Sequence, residues 1–148
     1  VEDITLRRTV LRDLNGVLHS VPNSEITVAS NQTRGWAGIN LIVGIGYGED
    51  VDAVKETVDG VGRELADDPA WQNDIVKAPS VARVDSLGDS SVDLRVLGRT
   101  APGRQWAVTG ELRRRIKLAF DKAGIEIPFP HRVIISRPAE DTRRDATD

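Results

Sequence analysis

The segment Gly44-Ile45-Gly46-Tyr47-Gly48 stands just before a helical pattern, the order in which a chain can cradle phosphate on a glycine loop. It lacks the G-x-G-x-x-G spacing, and the helix opens with Glu49, Asp50 and Asp52. Carboxylates there satisfy the helix dipole and repel phosphate. The glycines read instead as small residues that let a helix pack closely on the sheet. His19 and His131 are the two histidines, no His-x-x-x-His pair occurs, and there is no cysteine. A metal centre, thiol catalysis and disulfides are therefore not expected. Nothing resembles a nucleophile elbow. The expectation is no catalytic residue, no metal or cofactor-binding residue, and no cofactor. The chain does not read as an enzyme.

Two charged groups remain. Arg113-Arg114-Arg115 forms one basic turn of a helix and reads as a solvated face. The net charge of −3 offers no strong basic field for nucleic acid or an anionic membrane surface. The middle strands, Val81 to Leu87 and Val92 to Leu97, carry no aromatics on which bases could stack. No nucleic-acid partner is expected. Glu64, Asp67 and Asp68 fall at a helix C-terminus, where negative charge is mildly unfavourable, so helix stability does not account for them. They read either as a polar loop or as a cluster that faces ions.

These groups need elements to position them. The 148 residues suffice for one ordinary domain or two small ones, and 39% hydrophobic with 29% charged residues fits a folded chain. No apolar run approaches the roughly 18 residues that span a bilayer. With no methionine and Val1 first, the chain reads as a piece of a longer protein. Residues 1–34 look like short strands: Ile4, Leu6 and Val10 share a parity, Asn15-Gly16 signals a turn, and Val17, His19 and Val21 alternate. Pro22-Asn23-Ser24 breaks the run, and a weak strand holds Ile26 and Val28. Such a piece makes a poor core alone and needs partners.

From Ile39 the pattern sharpens. Ile39, Leu41, Val43, Ile45 and Tyr47 alternate as a strand, and Asp50 caps a helix with Val51, Val54, Val58, Val61 and Leu65 on one face. Gly60 and Gly62 weaken that helix and Pro69 stops it. Val81 to Leu87 and Val92 to Leu97 form a hairpin about Gly88-Asp89-Ser90-Ser91. Pro102-Gly103 opens a second helix with Val108, Leu112, Ile116 and Phe120 in one stripe, ended by Gly124 as a left-handed cap. With Val133 to Ile135 as a last strand, the order is β-α-β-β-α-β, the ferredoxin-like arrangement. Pro128 and Pro130 fix φ and lack an N–H, so this arm is extended and cannot pair fully. The last strand is free to leave its own sheet. Residues 138–148 carry no apolar pattern and read as a mobile tail.

Assembled, these segments resemble the small-conductance mechanosensitive channel family. Asp3-Ile4-Thr5-Leu6-Arg7-Arg8-Thr9, Gly16, Val21-Pro22-Asn23-Ser24 and Asn31-Gln32-Thr33-Arg34 are similar to its β domain. Tyr47, Asp50, Asp52 and Val54 resemble the start of its α/β domain, and Leu87-Gly88-Asp89-Ser90-Ser91-Val92 its central hairpin. Gly124-Ile125-Glu126-Ile127-Pro128-Phe129-Pro130-His131 resembles its most recognisable segment, with His131 where glutamine is usual. The likeness runs in order from Asp3 to Ile135.

The resemblance implies an α+β fold: a partial, Sm-like β domain over 1–35 and a ferredoxin-like domain over 36–128. The proline arm and barrel strand come next over 129–137, and the tail over 138–148. It implies a homo-oligomer, a heptamer, on the cytoplasmic side of the cell membrane, below the membrane part of the parent chain. Ions and small solutes would pass through its hollow vestibule to a tension-gated pore that protects against hypoosmotic shock. Pro128, Phe129 and Pro130 would carry Val133, Ile134 and Ile135 into an intersubunit parallel β-barrel, where closure leaves no edge. Glu64, Asp67 and Asp68 would stand at openings in the wall. The alternative is a soluble oligomeric ferredoxin-like regulatory module that binds a small ligand between subunits.

Overall fold

The computed structural model describes residues 1–32 and 34–129. The chain divides into two compact units, one over Val1–Arg34 and one from Gly35 onward.

The first unit is an antiparallel meander of β1 (Asp3–Ile4), β2 (Arg8–Arg12) and β3 (Leu18–Pro22), in that spatial order. The parity shared by Ile4, Leu6 and Val10 spans two strands, because the chain turns between them: Thr5 N–H donates to Arg8 O at 2.9 Å. Gly16, at φ 84°, makes the second turn, as the Asn-Gly pair predicts. Asn23 then ties the unit together. Its side-chain amide donates to Thr5 O at 2.9 Å and Leu6 O at 3.2 Å, and its Oδ1 accepts from Thr9 Oγ1 at 2.8 Å. No strand forms at Ile26 and Val28, which are both exposed.

The second unit is built from β4 (Ala37–Ile45), α1 (Val51–Asp67), β5 (Ile75–Leu87), β6 (Val92–Thr100) and α2 (Gln105–Ala123). Its sheet has the order β4-β6-β5, with both pairings antiparallel. Strands β4 and β5 are therefore parallel to each other on either side of β6, which is a split β-α-β unit crossed by α1. Alternation decides the faces. Ile39, Leu41 and Ile45 from β4 and Val92, Leu94 and Val96 from β6 point into the core. Val54, Val58, Val61 and Leu65 of α1 and Val108, Leu112, Ile116 and Phe120 of α2 meet them there. Strand β4 stops at Ile45, so Tyr47 lies in the following loop and not in the strand. Its hydroxyl donates to Gly88 O at 2.5 Å.

The opposite sheet face is open but carries a polar strap. Arg95 on β6 donates through Nε to Asp85 Oδ1 on β5 at 2.6 Å and through Nη1 to Asn40 Oδ1 on β4 at 2.7 Å, while Nη2 engages Asp85 Oδ2. One guanidinium thus links all three strands, and a bidentate pair of this kind adds geometric specificity.

Strand β5 is longer than the expected Val81–Leu87, because it runs through Pro79 with irregular register against β6. An edge strand tolerates proline. Pro79 is fully buried, and the reason lies in α1: a Cβ at Gly62 would sit 1.9 Å from the Pro79 carbonyl oxygen. Gly62 is therefore the close helix-on-sheet contact, and not merely a weak helix position. Gly44 and Gly46 do not serve that purpose. A Cβ at Gly44 would crowd Asp93 Oδ1 and Ser91, and one at Gly46 would meet Glu49 and Glu126. Beside the Gly62 contact, Asp59 Oδ1 accepts the Val81 N–H at 2.7 Å and stitches α1 to β5.

The two α1 glycines should separate in a urea titration. Gly62→Ala forces α1 off β5 and lowers stability by about 1–3 kcal/mol or more. Gly60→Ala, whose Cβ would meet only the Arg63 guanidinium at 3.9 Å, raises stability by about 0.5–1 kcal/mol. Equal effects from the two changes would refute the close-approach reading.

Candidate functional site

Two regions of the second unit hold the residues singled out in the sequence. The first is the exit from α2. Gly124 adopts the left-handed conformation, φ 70° and ψ 20°, and the Phe120 carbonyl accepts from the N–H of both Gly124 and Ile125. The turn delivers Ile125 to the edge of the core. Glu126 is then held at both backbone groups. Its N–H donates to Glu49 Oε1 at 2.9 Å, and its carbonyl accepts from Gly46 N–H at 3.2 Å. Ile127 lines an apolar groove of about 210 Å³ with Ile42, Val43 and Gly44 of β4 and Ile116 and Phe120 of α2. Pro128 is half-buried and Phe129 is exposed. Pro130, His131, Val133, Ile134 and Ile135 lie outside the described residues, as does the tail over 138–148.

The second region is the C-terminal end of α1. Glu64, Asp67 and Asp68 do not act there as one equivalent cluster. Asp68 is the C-cap residue; its Oδ1 accepts the Ala70 N–H at 2.9 Å and its Oδ2 pairs with Arg115 of α2. The Arg115 hydrogen bond, then that of Ala70, holds the Asp68 carboxyl below its ordinary value. The expectation that stability cannot account for these carboxylates therefore fails at Asp68, which joins α1 to α2. Glu64 is exposed and lines a groove of about 540 Å³ between the helices, shared with Glu56, Gly60, Arg115 and Lys122. Asp67 is exposed, and neither Glu64 nor Asp67 has an ion pair among the described residues.

The basic turn is likewise differentiated. Arg114 and Arg115 both grip Glu111, with Arg114 Nε–Glu111 Oε2 and Arg115 Nε–Glu111 Oε1 each at 2.8 Å. Those two guanidinium groups, Arg114 first, pull the Glu111 carboxyl down from 4.5 to about 2. Arg113 is exposed at the rim of the β4–α2 groove. Before α1, Asp50 Oδ1 accepts from Asp52 N–H at 2.9 Å and Ala53 N–H at 3.2 Å, so the chain's own carboxylate takes the helix N-terminus that a phosphate would use. His19 belongs to the first unit and pairs with Asp13 at 3.2 Å. Among the described residues no group of three or more metal-ligating side chains comes together, and no helix is long and apolar enough to cross a membrane.

Sequence reasoning missed the role of Glu49, which it assigned to the helix dipole. The signal that could have found it is redundancy: Asp50 and Asp52 already supply that charge.

A split β-α-β sheet under two helices, preceded by a separate strand meander and followed by a proline arm, defines an α+β protein. Residues 39–127 match the model of the mechanosensitive ion channel MscS C-terminal domain, and residues 1–34 that of the mechanosensitive ion channel β-domain. The chain belongs to the MscS mechanosensitive channel family. It is 30% identical over 135 residues to a small-conductance mechanosensitive channel of Caldanaerobacter subterraneus, covering 91% of this chain and 47% of that one. It is 36% identical over 140 residues to an uncharacterized MscS family protein of Archaeoglobus fulgidus, covering 90% and 46%. The crystal structure of Helicobacter pylori MscS in its closed state superposes with a TM-score of 0.69 at 26% identity, over 93% of this chain and 53% of that one. The chain thus spans about half the length of the curated relatives it matches.

The depressed Glu111 carboxyl sets a pH dependence. A folded-state value below the unfolded one contributes stability that is present above about 4.5 and lost as pH falls toward about 2. Glu111→Gln should therefore cost stability at pH 6, and its difference from the native chain should shrink steadily between pH 4.5 and 2 in urea titrations. A constant difference across that window would rule out Glu111 as the titrating group.

Proposed function

We propose that this chain is the vestibule-forming part of a mechanosensitive channel, on the cytoplasmic side of the membrane, assembled from several copies below the pore. Support comes first from the first unit. Thr9 and Val10 are its only buried residues among those described, while Leu6 is 95% and Leu14 106% exposed. Apolar surface of that extent needs cover, and neighbouring copies would supply it. The names of the relatives support the channel activity, which belongs to the whole protein.

In this reading residues 1–35 form a β domain that closes on its neighbours, and residues 36–128 form the vestibule wall. Pro128, Phe129 and Pro130 lead Val133, Ile134 and Ile135 into a parallel barrel shared by seven copies. The tension-gated pore lies in the rest of the protein, and the vestibule admits ions and small solutes to it. Sedimentation velocity across concentration tests the assembly: the expected particle has about seven times the 16.2 kDa mass of one chain. A strict monomer, with Val133–Ile135 paired onto its own sheet, would overturn it.

Glu64 and Asp67 are the carboxylates best suited to bias ion entry, since both are exposed and without an ion pair among the described residues. Asp68 adds little field, because Arg115 offsets it. Repeated around a ring, the first two would favour cations at an opening, most strongly at low salt, where the screening length grows beyond about 10 Å. In the full-length channel, the double change Glu64→Gln, Asp67→Asn should shift the reversal potential under a salt gradient toward anions, and Asp68→Asn should shift it less. An unchanged reversal potential for the double variant at low ionic strength removes the portal role.

A further inference from the structure

Glu49 immediately precedes the N-cap of α1, where Asp50 caps the helix and Asp52 supplies first-turn negative charge. Its own carboxylate reaches away from the helix. Oε1 accepts the Glu126 N–H at 2.9 Å, from a residue 77 positions further along the chain. Gly46 N–H donates to Glu126 O at 3.2 Å, and Glu49 N–H donates to Gly46 O at 3.1 Å. One short loop thus takes both backbone groups of Glu126. That loop is fixed on its far side by Tyr47, whose hydroxyl donates to Gly88 O at 2.5 Å in the β5–β6 hairpin.

The direction of the arm gives this contact its weight. Glu126 sits beside Gly46, and Ile127 lies in the groove beside Ile42, Val43 and Gly44, so the arm sets out antiparallel along the free edge of β4. Alternate residues of an extended chain turn their backbone groups to the same side. Residues 126 and 128 share that parity, and Pro128 has no N–H. Glu126 is therefore the last of the described arm residues on that parity with an N–H to donate. Its N–H goes to a side-chain carboxylate and its C=O to the residue just beyond β4.

We propose that Glu49 is the positioning residue of the C-terminal arm: its carboxylate fixes where, and at what angle, the chain leaves the β4 edge, and so presents the remainder of the arm to other copies. The link to assembly rests on the oligomeric reading above; the latch itself does not. Asp50 does not substitute for it, because its Oδ1 is committed to the Asp52 and Ala53 amides.

Residue-resolved amide hydrogen exchange and sedimentation velocity on the native 148-residue chain, Glu49→Ala and Glu49→Gln test this. In Glu49→Ala the Glu126 amide should exchange about tenfold faster or more, as loss of a hydrogen bond to a charged acceptor implies. The interior amides of α1 should keep their protection, because the Asp50 cap remains. The association constant between copies should fall by about the same factor. Glu49→Gln keeps an oxygen acceptor and should stay within about threefold of the native chain in both measurements. Unchanged Glu126 exchange in Glu49→Ala overturns the latch, and equal loss of protection throughout α1 reduces Glu49 to a helix-stabilising residue. Faster Glu126 exchange with unaltered association overturns the coupling to assembly. A native chain that is monomeric at every concentration overturns the oligomeric reading instead, and Glu126 exchange then decides the latch alone.

Discussion

The second unit depends on one close approach, in which Pro79 lies between two glycines. A Cβ at Gly62 of α1 would meet the Pro79 carbonyl oxygen at 1.9 Å, and one at Gly98 of β6 would meet Pro79 Cα at 3.1 Å. No other residue type fits the first position without moving the helix. Bringing the backbone of α1 into contact with β5 lets valines, rather than longer side chains, fill the layer between them: Val54, Val58 and Val61 all reach the core. Short β-branched side chains span only a thin layer, so the glycine contact and the valine-rich face are one solution to one spacing problem. One of the register shifts of β5 against β6, between Lys77 and Ser80, spans the same proline, and Asp59 satisfies the nearby Val81 N–H from the helix side.

Periodicity made part of this fold legible in the sequence. Val54, Val58 and Val61 of α1 and the Val108, Leu112, Ile116 and Phe120 stripe of α2 lie in the core, with Val51 packed against it, because a helix buried on one face leaves a repeat of three and four. The Asp50 cap and the left-handed Gly124 were legible for local reasons, since each satisfies backbone groups within a few residues. Contacts across the chain left no such trace. The role of Gly62 depends on Pro79, that of Asp68 on Arg115, and that of Glu49 on Glu126. A propensity scale scores Gly62 only as a cost to its helix, and a dipole argument scores Asp68 only as an adverse charge. Each is explained by a partner many positions away.

The two edges of the sheet are treated differently, and that difference connects fold to family. Strand β5 is protected by its proline and its irregular register, which deny a second chain a regular template. Strand β4 is regular along all nine residues against β6 and has no such defect. A ferredoxin-like sheet would cover that edge with a fourth strand. Here the arm engages the end of that edge at Glu126, and two residues further on Pro128 has no N–H to donate.

The position of that proline matters as well as its presence. A proline at 127 or 129 in its place would leave residue 128 with an N–H to donate toward β4. Proline at 128, on the same parity as Glu126, removes the next N–H that could turn toward β4. Of the described arm residues, Ile127 is the one that lines the groove of about 210 Å³ between β4 and α2. The hydrogen bonds to both backbone groups of Glu126 fasten the start of the arm to the loop between β4 and α1.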